Sequence, residues 1–231
     1  MLRNYFRIAF RNLMKYKFIS FINLFGLTVG LACCLLITTY ILNEVSYDKF
    51  QPHADRVYRI TRKFKNMQTG DVALNLSTIA PAFGPPLLND FKEIEEMTRI
   101  YSNGTTPVKY EDKIFNEENV VFADDKLFDF FDTKVERGNP GKALKEPYSV
   151  MLTDELAKKY FGNEDPVNKL IRINPGNKYS DFKITGIYKP FPKNTHIHPD
   201  LMMSFSTLND TAIYGEKNLQ TSFGNNSFFT Y

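Results

Sequence analysis

Beyond residue 34 the chain has no cysteine, and the two it does have, Cys33 and Cys34, are neighbours. A disulfide framework needs spaced pairs, and a cysteine zinc site usually needs C-x-x-C or a similar spacing, and neither pattern is present. A long cysteine-free segment suits an exported domain that avoids stray disulfides. Net charge is scarce as well, at +3 over 231 residues. Even that excess is local. Residues 1–17 hold Arg3, Arg7, Arg11, Lys15 and Lys17 and no acid, which leaves 24 basic residues against 26 acidic ones in the remainder. No basic stripe remains to track a phosphate backbone, so nucleic acid is excluded as a partner.

Catalytic signatures are also missing. No G-x-x-x-x-G-K-[ST] occurs, and Pro175-Gly176-Asn177-Lys178 lacks its frame. There is no G-x-S-x-G, H-E-x-x-H or dinucleotide fingerprint. His196, His198 and Asp200 would share one face of a strand and could bind zinc there. However, Pro190, Pro192, Asn194 and Pro199 mark that stretch as a loop, which disfavours a metal site. Glu95-Glu96 and Asp124-Asp125 are expected to be solvated acids. Asn103-Gly104-Thr105 matters only in a glycosylating host. The expectation is a protein that is not an enzyme, with no catalytic, cofactor-binding or metal residues and no cofactor of its own.

One long apolar run is present. From Phe18 to Asn43 no residue is charged, and the apolar heart runs from Leu24 to Leu42. About 20 such residues at 1.5 Å rise cross a hydrocarbon core of about 30 Å. A helix is the single-segment structure that satisfies every backbone group there. The run is too long for a secretory signal and ends in Tyr40-Ile41-Leu42-Asn43-Glu44, without a small-residue cleavage pattern. A lipoprotein site at Cys33 would want Leu where Gly30 stands. A retained signal anchor is therefore expected. Five basic residues precede it, while Glu44 and Asp48 follow before Lys49. The positive-inside rule places the N-terminus in the cytoplasm. Residues from about 44 onward then lie outside, which in a Gram-negative cell is the periplasm.

The first 17 residues do more than set topology. Arg3, Arg7, Arg11 and Lys15 recur every four residues and form one helical face, with Leu2, Tyr5, Phe6, Ala9, Leu13 and Tyr16 opposite and Phe10 at the edge. Such a helix suits the cytoplasmic membrane interface, where each basic residue contributes about 1 kcal/mol against anionic lipid. Within the apolar run, Gly26 and Gly30 form a G-x-x-x-G followed by Ala32, Cys33 and Cys34. That spacing lets a second membrane helix approach closely.

The segment after the membrane alternates between short strand-like and helix-like patches. Strands are expected at 56–62, 97–101, 119–122, 148–152, 170–173, 182–188 and 201–205. The prolines of Gly84-Pro85-Pro86 start a helix continuing through Leu87 to Glu93, and a short helix is expected over 125–131. Thr153 caps a helix over 154–160 that stops before Gly162. Asn139-Pro140-Gly141 is expected to be a turn, and Pro175-Gly176-Asn177 to join a strand pair. Mixed order without βαβ spacing indicates an α+β domain. The expected organisation is an interfacial helix at 1–17, a transmembrane helix at 18–43 and an α+β domain at 44–231. The aromatic end, Phe228-Phe229-Thr230-Tyr231, reads as a chain cut inside a domain.

Several stretches together resemble the opening of ABC transporter permeases of the MacB/FtsX type. They are Asn4 to Leu13, Phe21 to Gly30, Glu44-Val45-Ser46-Tyr47-Asp48-Lys49-Phe50 and Ala54 to Arg59. Leu152 to Gly162 and His196 to Phe205 resemble segments of that family's periplasmic core domain, and the similarity covers essentially the whole chain. The resemblance implies an inner-membrane efflux or lipoprotein-release system. It implies a separate cytoplasmic P-loop ATPase that binds the ATP, further spans in the same permease, and a dimeric or pseudo-dimeric assembly. It supplies no catalytic residues here. The rival readings are a membrane-anchored periplasmic sensor or binding protein, and an anchored envelope enzyme, the latter disfavoured by the missing site.

Overall fold

The computed structural model of the chain describes residues 2–49, 51 and 53–231. It separates into two compact units, Met1–Tyr47 and Asp48–Tyr231.

The first unit consists of two helices, α1 (Leu2–Lys15) and α2 (Lys17–Val45). No residue of α2 is buried within the protein. Two of its hydroxyls are satisfied internally: Thr28 Oγ1 donates to the Leu24 carbonyl at 2.7 Å and Thr39 Oγ1 to Leu35 at 2.8 Å. Back-bonding of this kind lets threonine sit in a helix surrounded by hydrocarbon.

The second unit is mixed α+β. In chain order it contains β1 (Arg62–Lys65), β2 (Val72–Leu76), α3 (Gly84–Asp90), β3 (Arg99–Tyr110), β4 (Lys113–Ala123), α4 (Leu127–Phe130), β5 (Val135–Gly138), α5 (Pro140–Ala143), β6 (Ser149–Thr153), α6 (Asp154–Phe161), β7 (Leu170–Ile173), β8 (Ser180–Tyr188), β9 (Leu201–Ser204), α7 (Glu216–Thr221) and β10 (Phe228–Thr230). β1 and β2 form a two-stranded sheet of their own. The main sheet runs β10-β3-β4-β9-β6-β8-β5, and β7 pairs with both β3 and β8. That double pairing closes β3, β4, β9, β6, β8 and β7 into a circuit. β4 with β9 and β6 with β8 are parallel, and the other pairs are antiparallel.

The central strands are apolar on both faces, which follows from side chains alternating along a strand. Val120 and Phe122 of β4, Val150 and Leu152 of β6 and Leu201 and Met203 of β9 enter one core with α6. Their neighbours Val121, Met151 and Met202 enter a second core with Leu127, Phe128 and Tyr188. Helix α6 forms as its sequence indicates. Thr153 Oγ1 accepts the Leu156 N–H at 3.3 Å, and Gly162 leaves the helix at φ +63°.

Four sequence expectations need correction. Residues 57–61 form no strand, and β1 begins only at Arg62. Val57 packs against the second core, and Ile60 N–H donates to the Thr230 carbonyl at 2.9 Å, so the period-two pattern marks an extended edge segment. The short strands at 97–101 and 119–122 are parts of the long hairpin β3–β4, whose tight turn uses Glu111 at φ +51°. Pro140 sits at the first position of α5, so the expected turn is a single helical turn. Helix α3 ends at Asp90, short of Glu93.

Candidate functional site at the membrane anchor and domain root

Arg3, Arg7, Arg11 and Lys15 all lie on α1 and are exposed, and Lys17 opens α2. At 100° per residue their four-residue spacing keeps Arg3, Arg7, Arg11 and Lys15 on one stripe, while Tyr5, Phe6 and Leu13 expose 69%, 75% and 55% of their surface. Helix α2 has 29 residues and a mean hydropathy of 2.2 over its most apolar window. At 1.5 Å per residue it is about 43 Å long, more than a hydrocarbon core requires. Gly26 and Gly30 lie four residues apart on one face of α2, and a Cβ at either position would meet nothing within 4 Å.

Immediately after the helix, the domain begins with a polar cluster centred on Asp48. Its backbone turns through φ +57°, a left-handed conformation that aspartate tolerates better than most residues. Asp48 N–H donates to the Asn194 carbonyl at 2.9 Å. Its carboxylate accepts from Thr195 Oγ1 at 2.5 Å, from His196 N–H at 3.2 Å, and lies 2.6 Å from His196 Nδ1. Burial pushes the Asp48 carboxyl up, but the Thr195 and His196 hydrogen bonds outweigh it and hold it below its ordinary value. The cluster therefore joins the first residues of the domain to the loop ahead of β9, a central strand.

The sequence marked Asp48 as an acidic flank and His196 as a ligand candidate, and placed both in family-like stretches without linking them. The structure gives them to each other. Asp200 accepts instead from Asn119 Nδ2 at 2.8 Å. Among the described residues no group of three or more histidines, cysteines and acids is arranged to hold a metal.

Asp124 is not a solvated acid. It forms a paired contact with Arg99, Nε to Oδ2 at 2.9 Å and Nη2 to Oδ1 at 3.0 Å, and both side chains are largely buried. The Arg99 guanidinium also lies 4.0 Å from the centre of the Phe205 ring. Glu95 and Glu96 are surface acids in ion pairs, with Arg56 at 2.5 Å and Lys126 at 2.6 Å. Glu117, 8% exposed, accepts from Tyr160 Oη at 2.6 Å and from Lys159 Nζ at 2.7 and 2.9 Å. Desolvation, then the Glu117 hydrogen bond, push the Tyr160 hydroxyl far above its ordinary value. Each of these groups is held by a structural partner.

An apolar helix long enough to span a membrane, followed by a mixed α+β domain, is the arrangement of a membrane-anchored module. The chain belongs to the MacB-like periplasmic core domain family, whose model matches residues 20–226 and so takes in most of the helix as well as the domain. The fold is that of a permease-protein domain from Porphyromonas gingivalis, with 21% identity, a TM-score of 0.62 and coverage of 78% of this chain and 75% of that one. The periplasmic region of MacB from Actinobacillus actinomycetemcomitans aligns at 16% identity and a TM-score of 0.46, covering 74% and 86% of the two chains. The extracellular domain of the ABC-type transporter YknZ from Gram-positive bacteria aligns at 14% identity and a TM-score of 0.46, covering 74% and 80%. No curated protein matches the sequence. Family membership makes the chain a component of an ABC-type transporter permease, a class that works in a membrane with a partner ATPase.

Proposed function

We propose that this chain is the N-terminal portion of an ABC permease subunit in which motion driven by the partner ATPase reaches the periplasmic domain through α2 and the Asp48 cluster. The observation that carries the reading is the family match, which runs unbroken from the membrane helix through the domain. In this reading residues 1–17 lie on the cytoplasmic face, with Arg3, Arg7, Arg11, Lys15 and Lys17 against anionic headgroups. Residues 18–43 span the inner membrane, and 44–231 form the periplasmic domain. Gly26 and Gly30 receive further spans of the permease, in a dimeric or pseudo-dimeric assembly.

The chain itself is not an enzyme and holds no cofactor; the ATPase binds the ATP. Its work is mechanical coupling to substrate export or lipoprotein release. The body for that work is the closed strand circuit with its two cores, which the chain enters at Asp48.

The test is affinity purification of the full-length protein from membranes in mild detergents, followed by mass spectrometry. Recovery of a P-loop ATPase in stoichiometric amount supports the permease reading. Recovery of a periplasmic ligand or partner without any ATPase favours an anchored binding protein.

A further inference from the structure

The β1–β2 hairpin is built like a docking element. Its base is held firmly: Arg62 donates to the Phe223 carbonyl and to Asn226 Oδ1 at 2.9 Å, and its guanidinium lies over the rings of Phe64 and Phe83 at 4.6 and 4.9 Å. Beyond that base the hairpin stands in solvent. Val72 and Leu74 are 52% and 50% exposed, and Met67 near the turn is 99% exposed. A lone two-stranded sheet is marginal in water and becomes independently stable with a third strand or more.

Its two edges differ. β1 reads Arg62-Lys63-Phe64-Lys65, and its charges protect that edge from pairing. β2 reads Val72-Ala73-Leu74-Asn75-Leu76, with no charge and no proline, and among the described residues it pairs only with β1. An uncharged apolar edge is the kind that soluble proteins normally cover.

We infer that β2 pairs antiparallel with β2 of a second copy of this chain, giving a four-stranded sheet β1-β2-β2-β1 across a two-fold axis. An antiparallel pairing of a strand with its own copy is isologous, so one surface serves both partners. The charge pattern fits this occupant. The lysine-bearing strands fall on the outside, about 14 Å apart at a strand spacing of about 4.8 Å, where solvent screens them. The interface is small, well under the roughly 1,200 Å² of stable complexes. It therefore depends on a membrane tether that raises the effective concentration of one copy near the other, and in this it rests on the permease reading above.

The test is disulfide cross-linking of the full chain in native membranes, in a background with Cys33→Ser and Cys34→Ser. Single cysteines are placed by Ala73→Cys, Leu74→Cys and Asn75→Cys on β2, and by Lys63→Cys on β1. Mild oxidation is expected to give disulfide-linked homodimers from at least one β2 position and none from Lys63→Cys. Adding Leu74→Lys to the Ala73→Cys or Asn75→Cys chain is expected to abolish its cross-link, through two lysines brought together at the axis. The inference is overturned if no β2 position yields a homodimer, if Lys63→Cys links as well as β2 does, or if the adduct contains a different protein. Co-purification of the ATPase from the same membranes separates the two ideas: an ATPase without cross-links refutes the pairing and leaves the permease reading standing.

Discussion

Asp48 and His196 are 148 residues apart in sequence, yet the Asp48 carboxylate lies 2.6 Å from His196 Nδ1. The same carboxylate takes the hydroxyl of Thr195, a residue only 2% exposed. Replacing Asp48 with Ala removes the carboxylate that accepts from that hydroxyl and from the His196 N–H. A loss of about 1–2 kcal/mol is expected, since the site is partly open to water. Thermal unfolding of the detergent-solubilised chain at neutral pH should then show a midpoint lower by roughly 2–8 °C. An unchanged midpoint would mean that water replaces the carboxylate without loss.

The same pair fixes the sign of an acid effect. The Asp48 carboxyl titrates below its ordinary value of 3.8 in the folded protein. Its stabilisation is complete above that value and disappears as pH falls through the lower, folded one. Unfolding midpoints measured from pH 6 down to 3 should therefore fall less steeply for Asp48→Ala than for the natural chain. Parallel curves would show that other carboxylates carry the acid sensitivity.

Glu117 sits at the centre of a second polar cluster, between Tyr160, which is 1% exposed, and Lys159. Glu117→Ala leaves the buried Tyr160 hydroxyl with only the long contact to the Val108 carbonyl, at 3.5 Å, and should cost about 1–3 kcal/mol. Glu117→Gln keeps one acceptor and should cost less. The raised titration of Tyr160 adds a sign at alkaline pH. Its stabilisation is complete below the ordinary tyrosine value near 10 and is lost as pH rises above it. Urea midpoints at neutral pH should rank the natural chain above Glu117→Gln and Glu117→Ala lowest. Equal midpoints for the two variants would assign the effect to the Lys159 ion pair alone.

Gly186 of β8 is required by close backbone approach. A Cβ there would lie 2.3 Å from the Arg137 carbonyl oxygen and 2.8 Å from Met151 Sδ. Met151 can shift, but the carbonyl belongs to β5, the paired strand. Gly186→Ala should therefore destabilise by about 1–3 kcal/mol through overpacking. Gly176→Ala is the control, because its Cβ would lie 3.5 Å from the Ala212 carbonyl oxygen, an ordinary contact. Comparable unfolding midpoints for the two variants would overturn the assignment.

Local signals in the sequence carried much of this fold. Thr153, the acids after it and Gly162 mark both ends of α6, and the Pro-Pro pair marks the start of α3. The β7–β8 pair forms around the expected turn. What stayed hidden were relations between distant residues. The long β3–β4 hairpin contains Gly104 and Pro107, which punctuate its pattern, and both residues disfavour regular strands. The bond from Asp48 to His196 depends on a chain path that no spacing reveals. Asp124 looked like a surface acid because its partner Arg99 lies 25 residues away, on the neighbouring strand.

Gly30 tests the assembly of the spans. A Cβ at this position meets nothing within 4 Å, so Gly30→Leu has room within the chain itself. Leucine is also the better helix former by somewhat under 1 kcal/mol, and more favourable at the centre of a span by a few tenths of a kcal/mol or more. Insertion and orientation should therefore be unchanged, as read by accessibility of a cysteine placed in the domain. What leucine removes is the groove that lets a second helix come close. Co-purification of the full-length permease partners should fall with Gly30→Leu and be largely kept with Gly30→Ala, which preserves a small residue. If Gly30→Leu co-purifies as the natural chain does, Gly26 and Gly30 do not form a packing face, and the spans of the assembly meet α2 on another side.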